Sequence, residues 1–172
     1  MVILIAGTTH TGKTALAQKL MEKYKIPYYS IDHLKMGLIR SGQINLTVED
    51  DAALVPYLWK IVKEITKTAI ENGQNLIIEG CYIPFDWQKD FSVEYLNAIE
   101  YYCLIMTERY IENNFSDILK YENIVERRLS GGGLSKRELI DDNKRNLQLC
   151  KEYGLNYILI DKNYEINIEL KI

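Results

Sequence analysis

The sequence predicts an α/β/α sandwich, a five-stranded parallel sheet covered by helices on both faces. Three observations carry this. Five short apolar runs alternate with stretches of helical periodicity, the pattern of successive strand–helix–strand units. The first run is apolar throughout, as a strand buried on both faces must be. A glycine-rich turn then leads straight into a helix, as at a strand-to-helix connection.

Val2 to Ala6 is the first strand and the expected centre of the sheet. From Thr14 to Tyr24, Ala15, Leu16, Leu20 and Met21 share one helical face, and Pro27 to Ile31 follows as a second strand ending at Asp32. Residues 33–40 form a short helix, broken by Ser41, Gly42 and Gln43. Thr47 with Asp50 reads as a capping box for a longer helix on which Leu54, Leu58, Ile61, Ile65 and Ala69 recur every three or four residues, with Pro56 in its first turns or at a kink and Gly73 past its end. Asn75 to Glu79, Ile99 to Met106 and Asn156 to Ile160 are the third, fourth and fifth strands. Helices are expected near 87–97, 107–121 and 136–153. The tail from Tyr164 alternates Ile166, Ile168, Leu170 and Ile172 with Asn167, Glu169 and Lys171, a period of two that predicts an edge strand. Such an edge offers two chains a route to pair as a homodimer.

Length and composition narrow the function. A chain of 172 residues suits one domain, spanning 1–172, and 47% hydrophobic with 26% charged residues is the profile of a folded protein. The formal net charge of -3 creates no positive field, so neither nucleic acid nor a membrane surface is an expected partner. Cys81, Cys103 and Cys150 form no CxxC pair and predict neither disulfides nor a zinc site; each reads as a small buried hydrophobe. The short apolar opening lacks a basic leader, and no run of about 18 apolar residues occurs, so a reducing, cytoplasmic location is expected.

The decisive motif is Gly7, Thr8, Thr9, His10, Thr11, Gly12, Lys13, Thr14, a full match to GxxxxGK[ST]. Chance would supply it in fewer than about 1% of chains this long, so it reads as a phosphate-binding P-loop. Its place between a buried strand and a helix lets backbone N–H groups and the helix dipole converge on phosphate oxygens. Lys13 can reach the β and γ phosphates of ATP, and the Thr14 hydroxyl can bind Mg2+. His10 occupies a variable position of the loop and reads either as a solvent-facing filler or as a contact to a phosphate or the acceptor.

Residues just beyond the strands line the ligand crevice of such a sheet. Asp32 follows the second strand and Glu79 ends the third. Asp32 is assigned as the general base for an attacking hydroxyl and Glu79 to magnesium. A helix N-cap remains an open reading for Asp32, and a structural hydrogen bond to the loop for Glu79. Arg127, Arg128 and Arg137 flank the cluster Gly131 to Gly133 and suggest a small helical lid near 122–140 that closes over the transferring phosphoryl group. Lys35, Arg40 and Arg145 read as ordinary surface or as acceptor contacts. Residues 33–60 and Cys81 to Trp87 should build the acceptor pocket, with Tyr57, Trp59, Tyr82, Phe85 and Trp87 as either an aromatic wall or core.

These residues together resemble the P-loop kinase superfamily of adenylate, shikimate and gluconate kinases, chloramphenicol phosphotransferases and zeta-type kinases. The resemblance spans nearly the whole chain and rests on the P-loop, on Ser30-Ile31-Asp32 before a helix, and on Ile77-Ile78-Glu79-Gly80, which is similar to zeta-type kinases. It implies strand order 2-3-1-4-5, a catalytic base at Asp32, and an adenine near Asp161 to Asn163. The chain departs from adenylate kinases after the third strand, where Gly80, Cys81, Tyr82, Ile83 and Pro84 include no arginine.

The expected function is transfer of the γ phosphate of Mg-ATP to a small hydroxyl-bearing acceptor. Two alternatives stay open: a nucleoside monophosphate kinase, whose acceptor needs no general base, and a non-kinase ATP-binding switch or ATPase. The chain carries no Asn-Lys-x-Asp run of the kind that recognises guanine.

Overall fold

Six consecutive apolar or small residues, Val2–Gly7, form β1, and all six are buried. In the computed structural model of the protein, which describes residues 1–121 and 135–170, β1 lies at the centre of a five-stranded parallel sheet. The helix α1 (Lys13–Tyr24) returns the chain to β2 (Tyr28–Ser30), and α2 (Ile31–Arg40) follows at once. The long α3 (Asp51–Glu71) leads to β3 (Leu76–Glu79). A single 3-10 turn (Trp87–Asp90) and the short α4 (Val93–Leu96) precede β4 (Ile99–Met106). Then come α5 (Glu108–Tyr121), α6 (Lys136–Glu152) and β5 (Tyr157–Ile160).

The strand order is β2-β3-β1-β4-β5, as expected. Side chains alternate across the sheet. Val2, Leu4 and Ala6 pack with Leu54, Leu58 and Val62 of α3 and with Trp87 and Phe91 on one face. Ile3 and Ile5 pack with Leu16, Ala17 and Leu20 of α1 and Ile111 and Ile118 of α5 on the other. The helix α6 serves both cores, Leu139 in the second and Cys150 in the first.

Several expectations need correction. The second strand is three residues long, because α2 begins at Ile31; Asp32 is therefore the second residue of a helix, neither a strand end nor an N-cap. Asp50 caps a separate turn one step before α3: its carboxylate accepts from the Thr47 N–H at 2.7 Å and hydroxyl at 2.8 Å, while the helix starts at Asp51. Pro56 sits in the second turn of α3, which continues past it. The helix expected over 87–97 is split at Phe91, whose extended backbone turns its ring into the core.

The tail is not a strand of the sheet. Ile166, Ile168 and Leu170 alternate inward as the period requires, but they pack on α1 in the second core. The backbone groups that a neighbouring strand would engage go to side chains of α1 instead: Lys19 Nζ donates to Ile166 O at 3.1 Å, Tyr24 Oη to Ile168 O at 3.3 Å, and the Leu170 N–H to Tyr24 Oη at 3.1 Å. The edge from which homodimer pairing was expected is thus absent from this segment. The aromatic residues are mainly core: Trp87 stacks on Tyr101 at 5.6 Å and meets Phe91 edge-on at 5.8 Å, and Trp59 reaches Phe91 at 6.1 Å. Tyr57 is exposed. Among the described residues no helix is long and apolar enough to cross a membrane.

Candidate functional site

The P-loop spans the gap between β1 and α1. Three residues of the motif have positive φ, Gly7 at 144°, His10 at 62° and Gly12 at 81°. At Gly12 a side chain is excluded twice over, since a Cβ there would also lie 1.8 Å from Tyr164 Oη. The loop folds onto one of its own carbonyls. Thr8 O accepts from the Thr11 hydroxyl and from Lys13 Nζ, each at 2.8 Å. Thr11 is fully buried and Lys13 is 6% exposed. Burial alone would lower the Lys13 pKa, but Cys81, Glu79 and Asp32 outweigh it and raise the value, so the ammonium stays charged. His10 is half-buried with Nδ1 2.9 Å from the Thr9 hydroxyl, which corrects its reading as a solvent-facing filler.

Strand register brings the acids to the loop. Glu79 pairs across the sheet with Ile5 on one side and Ser30 on the other, and is 1% exposed. Its Oε1 accepts from the Thr14 hydroxyl at 3.2 Å. Gly80 follows because β3 must pass close to α2: a Cβ there would lie 2.8 Å from the Ile31 Cβ. That close approach carries the chain directly to Cys81 and Tyr82.

Asp32 and Lys35 stand one helical turn apart on α2, with Lys35 Nζ 2.6 Å from Asp32 Oδ1. The same ammonium donates to Tyr82 Oη at 2.9 Å, and Tyr82 donates onward to Asp51 Oδ1 at 2.8 Å. Burial, the hydrogen bond that the phenol donates to the Asp51 carboxylate, and the Asp32 charge all push the Tyr82 pKa up, so the phenol remains a donor. The side chains of Asp32 and Lys35 are 26% and 13% exposed, open enough to meet a ligand.

Thus Lys13, Thr14, Asp32 and Glu79 converge at the ends of β1, β2 and β3. Lys35, Tyr82, Asp51 and Cys81 join them, and sequence reasoning missed or undervalued these. Lys35 had a signal, its i,i+3 spacing from Asp32. Cys81 is exposed and close to Lys13 rather than buried, unlike Cys103 and Cys150. Arg127, Arg128 and the glycines 131–133 lie outside the described residues. The end of the expected lid is in fact α6, where Arg137 is exposed and faces Asp141 at 3.9 Å. Arg145 faces Asp142 at 3.7 Å, and Arg40 is exposed on α2. Asp161, after β5, accepts from the Thr107 hydroxyl at 2.9 Å and pairs with Arg109. Among the described residues no group of three or more acidic, histidine or cysteine side chains could hold a metal by itself. The hydroxyl and carboxylate oxygens of Thr14 and Glu79 suit the hard Mg2+ ion, which commonly completes its shell with phosphate and water.

No protein-family model matches the chain, and no curated protein matches it in sequence. Solved structures do match its fold. A shikimate kinase from Bacteroides thetaiotaomicron is 15% identical, with 94% of this chain and 86% of that one covered, at a TM-score of 0.56. A candidate kinase from Chloroflexus aurantiacus j-10-fl is 17% identical, with 95% and 88% covered, at a TM-score of 0.55. The chain has the P-loop kinase-like α/β fold, with the sheet order expected of it.

Proposed function

We propose that this protein is a P-loop kinase that transfers the γ-phosphoryl group of ATP to a hydroxyl of a small acceptor. The observation that carries this reading is the meeting of Lys13, bonded within the loop, with the Thr14–Glu79 pair and the Lys35-held Asp32 at the C-terminal ends of β1, β2 and β3. The fold shared with a shikimate kinase supports it.

In this account the loop N–H groups and the α1 N-terminus hold the β and γ phosphates. Lys13 leaves Thr8 O for a phosphate oxygen, exchanging a neutral acceptor for an anionic one. Asp32 takes the acceptor's proton as the hydroxyl attacks phosphorus, and the β–γ bridging oxygen leaves with ADP. Lys35 keeps the Asp32 carboxylate in one orientation, and Tyr82 keeps Lys35 in place. Mg2+, held by Thr14 and Glu79, would neutralise charge on the phosphates. Arg127 and Arg128 are assigned to a closing lid that excludes water.

The test is ADP release with Mg-ATP against a panel of sugars, nucleotide sugars, hydroxy acids, aminocyclitols and nucleoside monophosphates, with Lys13→Ala as the blank. A hydroxyl compound should stimulate release, and Asp32→Asn should lower that rate by roughly 10²- to 10⁴-fold, the usual contribution of a positioned base. Stimulation by a monophosphate alone would replace the hydroxyl reading. Turnover equal in Asp32→Asn would remove Asp32 as base.

A further inference from the structure

Tyr164 stands outside the motif, yet it touches the P-loop. Its hydroxyl donates to Thr11 O at 2.9 Å, and the same oxygen fills the space that a Cβ on Gly12 would need. The peptide unit between Thr11 and Gly12 is planar and trans, so its C=O and N–H point in opposite directions. Fixing Thr11 O against Tyr164 therefore fixes the Gly12 N–H on the far side of the peptide. The residues on either side of that peptide, Thr11 and Lys13, also reach Thr8 O through their side chains.

The tail is anchored to do this. Beyond Tyr164 it runs along α1, bound by Lys19 at Ile166 O and by Tyr24 at Ile168 O and the Leu170 N–H. Lys23 pairs with Glu169 at 2.8 Å. Ile166, Ile168 and Leu170 are buried against the helix. The strap thus follows the helix that begins at Lys13, and its first residue pins the loop that precedes it.

We propose that Tyr164 is a positioning residue of the nucleotide site, its hydroxyl forming part of the phosphate cradle through Thr11 O. This rests on the reading of the loop as a nucleotide-phosphate site. Its effect falls on binding of the nucleotide and not on the proton transfer at Asp32, because Tyr164 meets the loop at Thr11 and Gly12.

The experiment is calorimetric titration of ADP, without acceptor, into wild type, Tyr164→Phe, Tyr164→Ala, Lys13→Ala and Glu169→Ala, with thermal melts in parallel. Tyr164→Phe keeps the ring and loses the bond to Thr11 O. It should weaken ADP by about 2- to 10-fold, the range of one neutral hydrogen bond, with Tyr164→Ala weaker still. Glu169→Ala, which loosens the strap far from the loop, should leave ADP affinity unchanged. Wild-type affinity in Tyr164→Phe, with Lys13→Ala inactive in binding, would overturn this inference and leave the nucleotide reading standing. Equal weakening in Glu169→Ala would also overturn it, by reducing Tyr164 to general stability. Absence of ADP binding in the wild type would overturn both.

Discussion

Asp32, Lys35, Tyr82 and Asp51 form a chain of hydrogen bonds and ion pairs in which each member is held by the next. Its consequence is a graded set of losses. In Lys35→Met, Asp32 loses the partner that orients it, so kcat should fall by about 10-fold or more while the KM for ATP stays near wild type. Tyr82→Phe should give a smaller loss of the same kind. A raised KM for ATP with unchanged kcat would place Lys35 at the nucleotide instead. The P-loop was legible in sequence because its residues are contiguous. Asp32 and Glu79 were legible as positions beside strand ends, and their roles belong to the proposal. The link between Tyr82 and Asp51 was not, because 31 residues separate them and only the packing of α3 against the segment after β3 brings them together. Cys81 was misjudged because cysteine is buried in most contexts, whereas here the passage across Gly80 delivers it to the crevice.

Single contacts between elements hold this arrangement. Gly80→Ala would drive a methyl into Ile31 at the start of α2, where Asp32 is the next residue. Such overpacking should destabilise by about 1–3 kcal/mol, read as a lower melting temperature, and a melt equal to wild type would show that α2 yields. Asp90 joins the 3-10 turn to α3, accepting from Trp59 Nε1 at 2.8 Å and Lys63 Nζ at 3.0 Å. The Trp59 bond, with Lys63 adding to it, holds the Asp90 carboxyl below the ordinary range. A depressed folded pKa means that this stabilisation is complete above the unfolded value and disappears as pH falls through the folded one. Asp90→Ala should therefore lose about 1.5–3 kcal/mol at neutral pH, the range for hydrogen bonds to a charged group. The gap to wild type should stay constant down to about pH 5 and narrow below about pH 4; a gap that widens in acid would contradict it. At this scale helices and inner strands were legible from periodicity. The tail was misread because a period of two describes any extended segment with one buried side, and nothing local says whether its backbone will bond to a strand or to Lys19 and Tyr24.

The sheet as a whole explains why the site lies where it does. Order β2-β3-β1-β4-β5 sets the ends of β2 and β3 beside the P-loop, so acids far apart in sequence become neighbours. That order followed from the resemblance of a few motifs, and the fold that carries it is matched by structures only 15% and 17% identical. The acceptor was not legible, because residues 33–60 and Cys81 to Trp87, from which its pocket is expected, follow no shared motif. If the loop is the nucleotide site, ADP at about 100 times its Kd should stabilise the fold by about 2.7 kcal/mol. For a chain of this size that raises the melting temperature by roughly 5–10 °C, and Lys13→Ala should erase the rise. The most direct measurement follows the γ-phosphoryl group itself, with labelled ATP and the acceptor that stimulates ADP release. The account predicts label in a phosphate ester of the acceptor, at a rate that collapses in Asp32→Asn. Label found only in inorganic phosphate would contradict it.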